Sequence, residues 1–253
     1  MNSHLRQGLL AGIAAGSLFI TGPAHADEIT VIASAAVRET YVELVSQFEL
    51  SSHHTIKTIW SGTADIMKRV KAGESADLVI VGDTSIDELI RLGKVVPGSR
   101  VDLMKSGIGV AVRAGAARPD IGSSEALKHA LLSAKSVGYS SGPSGVYLDG
   151  LFERMGIAAD VKAKTVRPPS GASVGEAVAG GEADIGFQQI SELIHVAGIE
   201  YLGPLSSDVQ QITVFSSGIH MSSKAPAAAA ALAAYLSSPA AAAAMRKNGM
   251  EPS

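Results

Sequence analysis

Cysteine is absent from all 253 residues. That one absence excludes thiol catalysis, thiolate-held metals, iron–sulfur clusters and disulfide staples. Stability has to come from an apolar core, and a chain of this length can bury one. An excess of positive charge is lacking too. The 21 Lys and Arg face 24 Asp and Glu, a formal charge of −3, whereas nucleic-acid binders usually show a basic surplus. No apolar run reaches the roughly 20 residues that a spanning helix needs. The N-terminal run, Leu9–Ile20, follows Arg6 and precedes Ala24-His25-Ala26, the three-part order of a cleavable export signal. Residues 1–26 are therefore expected to be removed, leaving Asp27–Ser253 in the periplasm. Losing Arg6 leaves 20 basic against 24 acidic residues, a charge of −4.

Nucleotide and catalytic signatures are missing as well. There is no G-x-x-x-x-G-K-[ST], no G-x-G-x-x-G between strand and helix, no H-E-x-x-H and no G-x-S-x-G, so nothing points to a P-loop, a dinucleotide site, a zinc protease or a serine hydrolase. His53, His54, His129, His195 and His220 are scattered without metal-ligand spacing and are expected as surface or packing residues. Neither a metal nor a cofactor is expected.

What is present alternates. Strand-like runs at Ile29–Ala33, Thr55–Trp60 and Asp77–Val81 lead into helical patterns at Val37–Leu50, Ala64–Ala72 and Ser85–Leu92. A second series follows: Ser136–Tyr139, the helical Val146–Met155, a strand at Val161–Val166, Val174–Ala179, the strand Ala183–Phe187 and a helix from Ile190. Such alternation predicts βαβ units and mainly parallel sheets. Two long strands, Ser106–Arg113 and Val209–Ile219, lie where the series meet. The Ala-rich tail Ala225–Ala244, broken by Tyr235, Ser237, Ser238 and Pro239, predicts two helices of a water-soluble fold. The expected architecture is two α/β lobes around a cleft, 27–107 plus 212–253 and 108–211.

Ligands of open parallel sheets bind where strands end and helices begin. Five such turns carry small, hydroxylated or glycine residues: Ser34–Ala36, Ser61–Thr63, Gly82–Ser85, Ser140–Gly145 and Ser170–Ser173. Free backbone N–H groups and hydroxyls in such turns suit an anion. The candidate binding residues are Ala36, Ser61, Gly62, Thr63, Gly82, Thr84, Ser140, Ser141, Ser144 and Gly145, with Arg38 and Arg167 as cations able to clamp a carboxylate. Arg38 falls in the first turn of a helix, where a cation opposes the macrodipole. A bound anion beside it would remove that conflict.

The stretches VIASAAVRETYVELVSQFE, IWSGTADIMKRVKAGESADLVIVGD, VGYSSGPSGVYLDGLFERMGI and SVGEAVAGGEADIGFQQISEL resemble, in order and spacing, the periplasmic molybdate-binding proteins of ABC transporters. The resemblance covers nearly the whole mature chain. It implies a two-lobe, type 2 periplasmic binding fold that closes on a small anion, working as a monomer with an inner-membrane ABC permease. Carried over residue by residue, the family's contacts fall on Ala36, Thr63, Gly82, Ser144, about Val174, and Gln189 or its neighbour Gln188. Ala36 lacks the family's hydroxyl, and a glutamine replaces its tyrosine. Together with Arg38, these changes favour a di- or tricarboxylate over molybdate. The resemblance also includes aconitate isomerases. Two functions stay open: a binding protein delivering an organic anion, and an isomerase interconverting trans- and cis-aconitate by an allylic proton shift. Candidates for the general base are Tyr147, Glu39 and Asp149, none carried by a motif.

Overall fold

A computed structural model describes residues 27–253, so the expected export signal lies outside the described residues. Two sheets organise this part of the chain. The first takes β1 (Glu28–Ser34), β2 (Thr55–Ser61), β3 (Leu78–Gly82), β4 (Val101–Ser106), β10 (Thr213–Ile219) and β11 (Glu251–Pro252) in the order β11-β4-β10-β3-β1-β2. The second takes β5 (Ile108–Arg113), β6 (Val137–Tyr139), β7 (Thr165–Val166), β8 (Ile185–Gln189) and β9 (Ile199–Pro204) in the order β7-β6-β8-β5-β9.

The apolar runs form central strands because helices cover both faces. Alternate residues of β1 and β3 divide between two cores. Val31, Ala33, Leu78 and Ile80 face Tyr41, Leu44 and Phe48 of α1 (Arg38–Ser52) and Leu232 and Leu236 of α9 (Pro226–Leu236). Ile32, Val79 and Val81 face Ile66 and Val70 of α2 (Thr63–Lys71) and Ile86 and Leu89 of α3 (Asp83–Arg91). Each fully buried aliphatic side chain adds roughly 1.5–3 kcal/mol. In the second sheet, Val110, Val137, Ile185 and Phe187 meet Leu127 and Leu131 of α4 (Ser124–Ser133) and Leu148 and Phe152 of α5 (Pro143–Arg154). On its other face α7 (Val174–Gly180) lies so close that a Cβ on Gly186 would stand 2.4 Å from Val178. The Ala-rich tail forms α9 and α10 (Ala242–Lys247), and no single described helix is long and apolar enough to cross a membrane.

The pairing departs from mainly parallel sheets. Strands β2-β1-β3 and β7-β6-β8 run parallel, as βαβ units require, but β10 runs antiparallel to β3 and β4, and β5 antiparallel to β8 and β9. The physical reason is topological. Strands β5 and β10 are each entered from the opposite sheet, so they start at the edge where the parallel strands end. The expected strand Ser106–Arg113 is accordingly β5 from Ile108 on, separated at Gly107 from Ser106, the last residue of β4, and β10 begins only at Thr213. Gln210 staples the two crossovers, its Oε1 accepting from Ile108 N–H at 2.8 Å and its Nε2 donating to Ile108 O at 3.0 Å. The expected strand at Val161–Val166 opens instead inside a short helix, α6 (Ala158–Lys162). Helix α8 (Ile190–Leu193) follows β8 directly.

Asp77 ties the first sheet together ahead of β3. Its carboxylate accepts from Thr30 N–H at 2.8 Å, Ser223 Oγ at 2.9 Å, Lys224 N–H at 2.7 Å and Ala225 N–H at 3.1 Å. Burial opposes the charge, but the four donors together outweigh it and hold the carboxyl below the ordinary carboxylate range. Its stabilisation is therefore complete above the unfolded value of about 3.9 and disappears as pH falls through the lower folded value. Asp77→Ala is expected to cost about 3 kcal/mol in urea unfolding at pH 7 by orphaning buried donors. It should also blunt the loss of stability that the wild type shows below pH ~4. A cost under ~1 kcal/mol would remove Asp77 from this role.

Candidate functional site

The parallel strands of both sheets end at one edge, and the helices that follow begin there. Their N-termini line an enclosed cavity of about 30 Å³ between the sheets. From the first sheet come the turn Ser34–Ala36 and the start of α2 at Gly62 and Thr63; from the second come the Ser140–Ser144 turn, Ser170–Ala172, Gln188, Gln189 and Glu192. Neither α2 nor α5 has a capping side chain, and no acidic residue stands in the first turn of α5. Their first N–H groups thus lack partners by the geometry of a helix end. The Thr63 and Ser170 hydroxyls are buried without a hydrogen-bond partner, a costly state that a bound acceptor would relieve. Ser140 and Ser144 pair at 3.3 Å, and Ser140 Oγ accepts from Gly142 N–H at 3.2 Å.

The cleft is closed. An ideal Cβ on Gly62 would stand 2.3 Å from Ser170 Oγ and 2.5 Å from Gly171 N. Gly171 has φ of 85°, and a Cβ there would meet Gly62 N at 2.7 Å. Only glycine on both sides permits this approach. Ser191 of α8 adds a bond across the cleft, donating to Ala36 O at 2.8 Å.

A second, open cavity of about 390 Å³ adjoins the first and shares Ala35, Gly171, Gln188 and Glu192 with it. Arg38, Glu39, Glu176 and His195 line this annex. Glu192 stands at the junction of the two. Burial pushes its carboxyl up to about 7, against the opposing bonds from the Gln188 amide and the Gln189 N–H. It is the one titratable side chain lining the enclosed cavity among the described residues. A carboxyl half-ionised at neutral pH where the two cavities meet, with Arg38 and His195 as well as Glu39 and Glu176 lining the annex, is suited to proton transfer.

The expected site residues divide. Ala36, Gly62, Thr63, Ser140, Ser141, Ser144 and Gln189 line the enclosed cavity. Arg38 does not enter it; exposed in the annex, its guanidinium lies 5.1 Å from the Trp60 ring centroid. Gln189 is committed to the crossovers: its side-chain amide contacts Thr213 Oγ1 at 2.9 Å, and in the amide orientation that satisfies both ends its nitrogen donates to Ser106 O at 3.1 Å and Gly107 O at 3.2 Å. The Val174 N–H is already taken by Gln188 Oε1 at 2.9 Å. Ser61, Gly82, Thr84 and Gly145 lie outside the linings of both cavities. Gly145 packs so tightly under the Ser140 carbonyl that a side chain has no room.

Arg167 Nη2 donates to both carboxylate oxygens of Asp149 at 2.6 Å, and Arg167 stacks 4.4 Å from the Tyr139 ring, in a different cavity. Tyr147 donates to Val209 O at 3.0 Å and stacks with Arg154. Of the three expected bases only Glu39 reaches the annex, and it is exposed. Sequence reasoning missed Glu192, because an acidic residue in the first turn of a helix is ordinary dipole compensation. Its place directly after the strand that ends at Gln189 is the signal that was available.

A family model described as bacterial extracellular solute-binding protein matches residues 29–251. An aconitate isomerase from Pseudomonas sp. is 37% identical over 230 residues, covering 88% of this chain and 87% of that protein. The periplasmic molybdate-binding protein of Azotobacter vinelandii superposes with a TM-score of 0.74 at 19% identity, over 88% of this chain and 98% of its own. A sulfate-binding protein from Mycobacterium tuberculosis H37Rv gives 0.72 at 18% identity, over 90% and 87%. At such identities the solved structures speak for the fold alone.

Gly62→Ala tests the closure. With φ of −76° the backbone at Gly62 accepts an alanine, but its Cβ would overlap Ser170 Oγ and Gly171 N across the cleft, so the variant should still fold while closure is blocked. Across molybdate, sulfate, citrate and trans-aconitate, whichever anion stabilises the wild type should bind the variant at least tenfold more weakly, about 1.4 kcal/mol. Equal thermal shifts in the two proteins would show that the contact is not needed for binding.

Proposed function

The chain belongs to the family of bacterial extracellular solute-binding proteins and has their type 2 periplasmic-binding fold, and we propose that its cleft isomerises an unsaturated tricarboxylate, interconverting trans- and cis-aconitate. The observation that carries this reading is Glu192, a carboxyl held near neutrality where the cage meets the annex. The similarity to the Pseudomonas aconitate isomerase supports it.

In this mechanism one carboxylate of the substrate takes the enclosed cage, with the helix N-termini and the Thr63 and Ser170 hydroxyls as donors. The rest of the molecule extends into the annex toward Arg38 and His195. The Glu192 carboxylate removes a proton from the methylene carbon beside a carboxylate. The electron pair of the broken C–H bond spreads over the three-carbon allyl system and that carboxylate, stabilised by the surrounding N–H groups. A proton returns to the other allyl terminus as the double bond moves. Nothing is oxidised or reduced, so no cofactor is required. The lobes of this reading are 27–107 plus 212–253 and 108–211, acting in the periplasm as a monomer.

A second reading keeps the protein as a binding component that hands an organic anion to an ABC permease. The helix N-termini and bare Thr63 and Ser170 hydroxyls favour it, because holding an anion needs no more than such donors. Chromatography of trans-aconitate incubated with purified protein separates the two. The isomerase reading predicts cis-aconitate, kcat/KM rising with pH through about 7 as Glu192 ionises, and a fall of roughly 10²–10⁴ in Glu192→Gln with binding retained. Trans-aconitate unchanged over hours, with saturable binding of aconitate or citrate, would establish the binding reading instead. Arg38→Ala should raise KM about fivefold with little change in kcat, as loss of about 1 kcal/mol of binding to an exposed cation implies.

A further inference from the structure

We propose that Gln188 is a positioning residue for Glu192, aiming its carboxylate at the junction of cage and annex and favouring its ionised form. This rests on the proton-transfer role of Glu192 proposed above. Gln188 is 2% exposed, and its amide orientation is dictated by its neighbours. Oε1 accepts from the Val174 backbone N–H at 2.9 Å, which leaves the amide nitrogen to donate to Glu192 Oε1 at 2.8 Å. The reverse orientation would set the amide N–H₂ against a backbone N–H and its oxygen against a carboxylate oxygen. The side chain therefore cannot rotate away from Glu192 without stranding two buried partners.

Val174 N–H, Gln188 and Glu192 form one continuous chain of donors, in which each bond polarises the next. The chain starts from backbone at the beginning of α7 and ends on the base, four residues after Gln188. Gln188 lies on the α7 face of β8, opposite Ile185 and Phe187, and there its amide is spent on two polar partners. The charged groups facing Glu192 in the annex are Arg38 and Glu39 of α1, Glu176 of α7 and His195, and none of them bonds to it directly. The Gln188 amide is the side-chain donor that sets the carboxylate's direction. The rise of the Glu192 carboxyl above its usual range is limited by this bond, since a donor to the charged form counters burial.

The test is a carboxyl-carbon NMR titration of Glu192 in the unliganded full chain, assigned by its loss in Glu192→Gln. Gln188→Met keeps the length and removes the donor. The Glu192 midpoint should then move up by about one pH unit, and the rising limb of any kcat/KM profile should move with it. Activity at pH 7 should fall roughly fivefold and return at higher pH. Gln188→Glu keeps the shape and brings a second carboxyl within hydrogen-bond reach. It should give a coupled pair with one midpoint well above the wild-type value, and it covers the case in which the methionine variant fails to fold. Unchanged Glu192 midpoints in the folded variants would overturn the proposal. Because the titration is read without substrate, it stands even if trans-aconitate proves not to be a substrate, an outcome that would overturn only the isomerase reading.

Discussion

A helix begins with backbone N–H groups that have no partner inside the helix, and this fold gathers several such beginnings into one closed space. The parallel strands of both sheets run toward the same edge, so the starts of α2 and α5 and the Ser34–Ala36 turn converge there. Uncapped N–H groups and the bare hydroxyls of Thr63 and Ser170 make the space hospitable to an anion without any cation inside it. The antiparallel strands β5 and β10 serve the same end. They join the two sheets at that edge and let them close until the Gly62 and Gly171 backbones touch.

Against this positive surface stands one acidic group. Glu192 would be out of place in a site built only to hold an anion, since its ionised form repels the ligand. Burial answers part of that problem by raising its carboxyl to near neutrality, against the opposing bonds from the Gln188 amide and the Gln189 N–H. A group balanced in this way can take and return a proton, which a plain anion trap does not require. The same scaffold therefore accommodates capture or chemistry, and the difference rests on a single side chain and its support.

The cations behave differently from what charge alone implies. Arg38 resolves its awkward place in the first turn of α1 partly by lying over the Trp60 ring and partly by facing the annex, not by entering the cage. Arg167 is occupied by Asp149 and Tyr139 well away from the cleft. In both cases an aromatic face supplies the partner, and a ring from a distant strand is not visible in a local stretch of sequence.

The amino-acid sequence by itself determined the α/β class and the small-residue turns that end the parallel strands, because hydrophobic period and turn chemistry are local properties. It therefore made the hydroxyl and glycine wall of the cavity legible: Gly62, Thr63, Ser140, Ser141 and Ser144 were all readable as anion-binding turns. Only the tertiary structure decided direction and company. Strand polarity at β5 and β10 depends on which sheet each is entered from, and the commitment of Gln189 to the crossovers depends on Ser106, Gly107 and Thr213 arriving beside it. The character of Glu192 was likewise invisible, since an acid in the first turn of a helix is unremarkable until two sheets close over it. Its altered acidity is a consequence of burial, and burial is a property of the closed fold.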